Sequence, residues 1–209
     1  MIYVSSDLFL ASSSKTRKAL LASHGLNLKT FSPDLDEESI KKEFLGKISP
    51  AELAMKLAQA KGALASSEMP NAFFIAADQV CELDGEIFDK PLTRENAINH
   101  LSKLRNKTHI QNCATVIYHK NACIWQFNGQ AYLTMRNLKD EEVESYVDLE
   151  RPFHSAGSYM FEKHGKHLFS EVIGDHDVIL GLPIVKLVNQ LYELALVGLL
   201  PKIEASASK

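Results

Sequence analysis

Leu8-Phe9-Leu10-Ala11-Ser12-Ser13-Ser14-Lys15-Thr16-Arg17-Lys18-Ala19-Leu20-Leu21 is the stretch from which the fold is read. Its four leading apolar residues fit a short buried strand. Three serines follow, and Ser13 or Ser14 is placed to cap a helix from Lys15 to Ser23 with Leu20 and Leu21 on its apolar face. Gly25 is positioned to end that helix. A strand that runs directly into a helix is the repeating step of α/β proteins.

The step recurs downstream. Ser49-Pro50-Ala51-Glu52 is a capping box with proline at the first helical position, and its helix reaches about Ser66. Phe73-Phe74-Ile75-Ala76-Ala77 reads as a buried strand ending at Asp78. Val80 to Leu83, the turn Asp84-Gly85 and Glu86 to Phe88 form a hairpin. Thr93 caps a helix from Arg94 to Leu104, and residues 108–118 and 123–136 read as long strands with Asn128-Gly129 as a turn. Asp140 to Val147 is a helix with acids in its first turn, broken by Arg151-Pro152. Leu168 to Ile173 is a strand, and Pro183 opens a last helix to about Val197. Residues 1–200 read as one domain and 201–209 as a polar tail. Strands and helices interleave without a repeat or long linker, so α/β with a mixed sheet is the expected class.

Composition narrows the partners. Of 209 residues, 45% are apolar and 23% charged, a soluble globular balance with ample material for a core. Lys plus Arg is 23 against 26 Asp plus Glu, a net charge of −3, which argues against a nucleic-acid partner. No run of 18 apolar residues exists, and the N-terminus lacks a basic segment leading into a long apolar one. A cytoplasmic protein with no membrane contact is the expectation. Cys81, Cys113 and Cys123 form no C-x-x-C pair, which suits buried free thiols in a reducing compartment. His164-x-x-His167 has no third clustered ligand and reads as solvated or core histidines. Neither G-x-x-x-x-G-K-[ST] nor G-x-G-x-x-G is present.

Four segments carry chemistry. Ser12 to Lys18 brings hydroxyls, helix N–H groups and the cations Arg17 and Lys18 to one place, and residues 1–30 hold four basic side chains against one acid. That can be an anion site or a plain cap with solvated lysines. Asp78 is a carboxylate directly after five apolar strand residues. At a strand's carboxyl end it can face a ligand crevice, binding a metal or orienting a water, or it can cap the hairpin. Asp34-x-Asp36-Glu37-Glu38 can supply the one or two carboxylates that a hard cation needs beside phosphate oxygens, or can be a solvated acidic loop. In Asp89-Lys90-Pro91 the lysine can reach a phosphate or stay on the surface. Together they suggest a phosphate-and-metal site built from separate segments, without naming a reaction.

The chain resembles the Maf family of nucleotide pyrophosphatases, once described as septum-formation inhibitors, from about Leu8 to Leu194. The likeness lies in Leu10-Ala11-Ser12-x-Ser14-x-x-Arg17-x-x-Leu20-Leu21, Asp34-Leu35-Asp36-Glu37 and Leu57-Ala58-x-x-Lys61. It continues in Ala77-Asp78-Gln79-Val80-x-x-Leu83-Asp84-Gly85-Glu86, Lys90-Pro91, Ser155-Ala156-Gly157-Ser158-Tyr159 and Gly181-Leu182-Pro183. The resemblance implies a twisted mixed β-sheet flanked by helices and bent around a deep nucleotide cleft, Maf/ITPase-like, commonly a homodimer. It implies cleavage of a nucleoside triphosphate between the α and β phosphates, with Mg²⁺ or Mn²⁺. Asp78 then matches the general base, Ser12, Ser14, Arg17, Lys61 and Lys90 the phosphate site, and Asp36, Glu86 and Asp78 the acidic metal positions.

Three positions of the family separate substrate classes. The thymidine/uridine triphosphate class has Arg, Thr and Gln there, and the 7-methyl-GTP class Trp, Gln and Glu. Here they are Thr16, Gln79 and Glu162. Two of the three match the 7-methyl-GTP class, which is the expected substrate, while Thr16 fits neither. The alternatives are dTTP/UTP or broad triphosphate specificity, and a non-catalytic nucleotide-binding regulator of septum formation.

Overall fold

The computed structural model describes Ile2–Leu199, so the polar tail lies outside the described residues. The first strand, β1 (Ile2–Val4), is followed by β2 (Leu8–Ala11), helix α1 (Lys15–Ser23) and β3 (Lys29–Phe31). Then come α2 (Glu37–Phe44), α3 (Pro50–Glu68), β4 (Phe73–Leu83) and the short β5 (Glu86–Ile87). Helix α4 (Arg94–Leu104) leads into β6 (Thr108–His119), β7 (Ala122–Met135) and α5 (Asp140–Glu150). The chain ends in β8 (Phe169–Gly174), α6 (His176–Ile179), α7 (Ile184–Glu193) and β9 (Val197–Leu199). Seven strands form one mixed sheet in the order β3-β2-β4-β6-β7-β8, with β5 on β4, while β1 and β9 pair separately. β3, β2 and β4 are parallel, and β4, β6, β7 and β8 are antiparallel.

Side chains alternate across β4. Phe74, Ala76 and Val80 face α3, which presents Leu53, Ala54, Leu57, Ala58 and Ala65. Ile75 and Ala77 face the other way, into a core with Leu20 and Leu21 of α1 and Leu187 and Leu191 of α7. Further along that face, Cys81 and Leu83 pack with Leu101 of α4 and Val147 of α5. No described helix is long and apolar enough to cross a membrane.

Several expectations are corrected. The strand expected to end at Asp78 continues unbroken to Leu83, because β6 pairs with it from Phe74 to Glu82. Asn128-Gly129 lies inside β7, and the turn is Lys120-Asn121, both at positive φ. Gly129 answers a packing demand: a Cβ there would stand 2.7 Å from Val178 Cγ2. The acidic segment after Asp34 is not a bare loop but holds α2, with Glu37 and Glu38 in its first turn and Lys41 and Lys42 in its last, each favoured by the helix dipole. The last helix stops at Glu193, and Val197–Leu199 is a strand paired with the N-terminus. Helix α5 continues to Glu150. Cys81 and Cys113 are buried free thiols, but Cys123 is exposed. His164 pairs with Glu150, and no three His, Cys, Asp or Glu side chains among the described residues are grouped to hold a metal.

Candidate active site

Strand β2 runs beside β4 only as far as Ile75, and β5 joins the same edge only at Glu82. Between them β4 has no strand neighbour on that side, and a cavity of about 660 Å³ opens there. A sheet edge exposed in this way presents both of its faces to the cavity. Asp78 enters from the α3 face and Gln79 from the opposite one. The crevice therefore lies beyond the carboxyl end of β2, while the strand that carries Asp78 continues past it.

One wall is the start of α1. Ser14 is the N-cap, and its hydroxyl accepts the Arg17 N–H at 3.3 Å. The Ser12 hydroxyl accepts the Ser14 N–H at 3.1 Å, so both serines shape the turn around a helix N-terminus whose first amides have no intrahelical partner. Arg17 Nε donates to the Gly181 carbonyl at 3.0 Å. Gly181 has φ +97°, and a Cβ there would stand 2.9 Å from Arg17 Nε, so the close approach that orients the guanidinium requires glycine.

Asp78 is 7% exposed. Its partner is Lys61, projecting from the buried stripe of α3, and Lys61 Nζ also lies 3.1 Å from Glu37 Oε1. A buried carboxylate thus shares its cation with a second carboxylate on α2. Lys41 of α2 pairs with Asp89, which follows the hairpin. Burial disfavours the charge of Lys41, yet the hydrogen bond to Asp89 holds its ammonium above the ordinary lysine range. Burial likewise opposes the charge of Asp89, and the bond from Lys41 prevails and keeps its carboxyl below the ordinary range.

At the other side, Thr16 Oγ1 donates to Glu162 Oε1 at 3.0 Å. Gln79 Nε2 donates to the carbonyls of Val178 and Ile179 at 3.2 and 2.9 Å, which commits its amide hydrogens and leaves Oε1 as its remaining group. Behind them Tyr159 Oη accepts from Gln111 Nε2 at 2.7 Å and bonds His109 Nε2 at 2.9 Å. Burial raises Tyr159 well above the ordinary phenol range and pushes His109 down to about 4, so both are neutral near pH 7.

The structure brings Ser12, Ser14, Thr16, Arg17, Lys61, Asp78, Gln79, Lys90 and Glu162 to one cavity. It does not bring Asp36 or Glu86. Asp36 caps α2 and is consumed by Ser39, whose N–H and hydroxyl it accepts at 3.1 and 2.5 Å. Glu86 points away on the hairpin and pairs with Lys103 at 2.5 Å. Two lining residues, Lys41 and Gln111, were not singled out in the sequence, and Glu37 and Asp89 were named there only as members of the acidic run and of Asp89-Lys90-Pro91. A helical i,i+4 Glu37/Lys41 pair reads as solvated surface, and Gln111 differs from its neighbours only in being polar within a long apolar strand.

A cation fits this donor set in one way. Asp78 and Glu37 both contact Lys61 Nζ and so lie near one point, and a divalent ion completed by phosphate oxygens and water needs only one or two carboxylates.

The Maf-like protein family model matches residues 7–194. A protein from Legionella pneumophila called nucleoside triphosphate pyrophosphatase is 38% identical over 192 residues, covering 92% of this chain and 96% of the relative. A protein of the same name from Nitrobacter hamburgensis is 38% identical over 194 residues, with the same shares. The Ham1 protein of Staphylococcus aureus superimposes with a TM-score of 0.50 at 16% identity, over 90% of this chain and 98% of that one, a likeness of fold. A match across nearly the whole described chain, together with relatives 38% identical and covered over 96% of their own length, shows that this chain belongs to the Maf family.

Proposed function

We propose that the chain is a nucleoside triphosphate pyrophosphatase that cleaves between the α and β phosphates, and that its substrate is 7-methyl-GTP. The observation that carries the reaction is the buried Asp78–Lys61 pair lining the same cavity as the N-terminus of α1 and Arg17. Triphosphate oxygens compete with Asp78 for Lys61, which frees the carboxylate as substrate enters. Asp78 then takes a proton from the water that attacks the α phosphorus. As the bond to the bridging oxygen breaks, charge moves to the departing pyrophosphate. Arg17, Lys90 and the first amides of α1 stabilise it there. Asp78 and Glu37 would hold a Mg²⁺ or Mn²⁺, which when bound neutralises phosphate charge and acidifies water.

The base end supports guanine. Its Watson–Crick edge presents the N1–H and an exocyclic amine, which need acceptors. Gln79 offers Oε1, and Glu162 keeps one oxygen beyond its bond to Thr16. Thymine and uracil present carbonyls that need donors. Methylation at N7 makes the ring cationic, which favours a nearby carboxylate and the rings of Phe88, Tyr159 and Phe161 that line the cavity.

The test is pyrophosphate release from 7-methyl-GTP, GTP, dTTP and UTP with Mg²⁺ or Mn²⁺. Faster turnover of 7-methyl-GTP supports the substrate, and equal or faster turnover of dTTP and UTP refutes it. No release from any triphosphate refutes the enzyme.

A further inference from the structure

Helix α2 is a lightly held wall of the cleft. None of its eight residues is buried, and Ile40 and Phe44 pack only partly on the core beneath α3. Ion pairs tie it to the elements around the cavity, Glu37 to Lys61 of α3 and Lys41 to Asp89 after the hairpin. Lys41 also lies 3.4 Å from Glu38 of its own helix.

The Lys41 side chain is 21% exposed and lines the cavity, where Asp78 adds to the negative field around it. The carboxylates around it outweigh the cost of burial and hold its ammonium above the ordinary lysine range. A phosphate oxygen offers the same kind of bond with more charge behind it. Lys41 and Lys90 also border an adjoining groove of about 490 Å³, which none of Thr16, Gln79 or Glu162 lines. Lys41 therefore stands at the end of the cleft remote from the base-facing residues.

We propose that Lys41 is a further substrate-binding residue, held by Asp89 in the empty cleft and transferred to the β and γ phosphates when substrate binds. The inference rests on the cleft being the triphosphate site. Transfer loosens α2 from Asp89 and attaches it to the substrate, so the wall is fastened by the ligand it helps to bind. Because Lys41 meets the part that leaves as pyrophosphate, it affects affinity for that product and leaves affinity for the monophosphate unchanged.

Calorimetric titration of inorganic pyrophosphate and of GMP into the full chain separates the outcomes. Lys41→Gln weakens pyrophosphate by about 10-fold, the scale of one charge-assisted hydrogen bond, and leaves GMP within about twofold. Lys41→Arg retains most of the pyrophosphate affinity. Lys47→Gln, the same charge change outside the cavity, alters neither ligand. Equal weakening of both ligands by Lys41→Gln means that Lys41 only tethers α2, and no weakening means that it does not meet the substrate; either overturns the proposal. If the unaltered chain binds neither ligand, the reading of the cleft fails as well.

Discussion

Replacing Asp78 by asparagine keeps the shape of the side chain and removes its charge and its basicity. The structure sets the size of each consequence. Stripping a buried ion of its partner costs about 3–5 kcal/mol when nothing else pairs with it. Lys61 has Glu37 at 3.1 Å, and the asparagine carbonyl still accepts from it. The expected stability loss is therefore about 1 kcal/mol, or about 2–4 °C in Tm for a chain of this size. Affinity without divalent metal moves the other way, because one of the two carboxylates that compete with phosphate for Lys61 is gone, so the Kd for free triphosphate is unchanged or lower. Turnover loses its base, worth about 10²–10⁴-fold, so kcat falls by at least about 100-fold. Thermal melting, calorimetric binding of 7-methyl-GTP in the absence of divalent metal and pyrophosphate release read the three separately. A kcat within about 10-fold of the unaltered enzyme removes Asp78 as the base. A rate loss accompanied by weaker binding or a collapse in Tm makes Asp78 a structural group.

Three further substitutions probe the other walls. Glu162→Gln removes the negative charge facing the methylated base and replaces one acceptor oxygen by an NH₂ donor, so the ratio of kcat/KM for 7-methyl-GTP over dTTP falls by about 10-fold; an unchanged ratio excludes Glu162 from base reading. Gly181→Ala places a Cβ 2.9 Å from Arg17 Nε at a φ of +97°, which costs about 1–3 kcal/mol and raises KM through the displaced guanidinium; melting and steady-state kinetics measure both effects, and a silent variant refutes the role of that contact. His109 is held down to about 4 by burial, against an ordinary value of 6.5. Its folded state therefore resists protonation that its unfolded state accepts. Its contribution is full above about pH 6.5 and declines as pH falls towards 4, by up to about 3 kcal/mol. Urea midpoints across that window fall less steeply in His109→Gln, and parallel curves contradict the assignment.

Local patterns were legible in the sequence where one segment determines its own structure. The Ser49 capping box, the Thr93 cap and the Asp84-Gly85 hairpin are short-range devices, and each lies where its residues place it. Three-residue strands carry no such signal. Ile2–Val4 becomes a strand because Ile2 meets Leu199, almost the whole chain away, and Lys29–Phe31 because it lies beside β2. The site divides along the same line. Asp78 was visible as a charge among apolar strand residues, and the serines before α1 as a cap. Asp36 and Glu37 are adjacent acids that sequence cannot rank. Only the start of α2 separates them: Asp36 at the N-cap turns its oxygens to Ser39, and Glu37, one residue on, faces Lys61.

That division also explains why an anion site contains so many acids. Lys15, Arg17, Lys41, Lys42, Lys61 and Lys90 line the cavity beside Glu37, Glu38, Asp78, Asp89 and Glu162. Cations alone would repel one another in the empty cleft, and burial disfavours the charge of a lysine such as Lys41 when no carboxylate opposes it. Asp89 holds the charge of Lys41 while the cleft is empty, Asp78 and Glu37 pair with Lys61, and in the proposed exchange phosphate takes both lysines over. In the proposed mechanism the same exchange releases Asp78 and Glu37 together, and these are the groups it uses for a base and a cation. The −3 net charge of the chain offers no basic surplus to a polyanion that needs a basic surface. It suits a cleft in which Lys41 and Lys61 are stored against acids until a small polyanion takes their place.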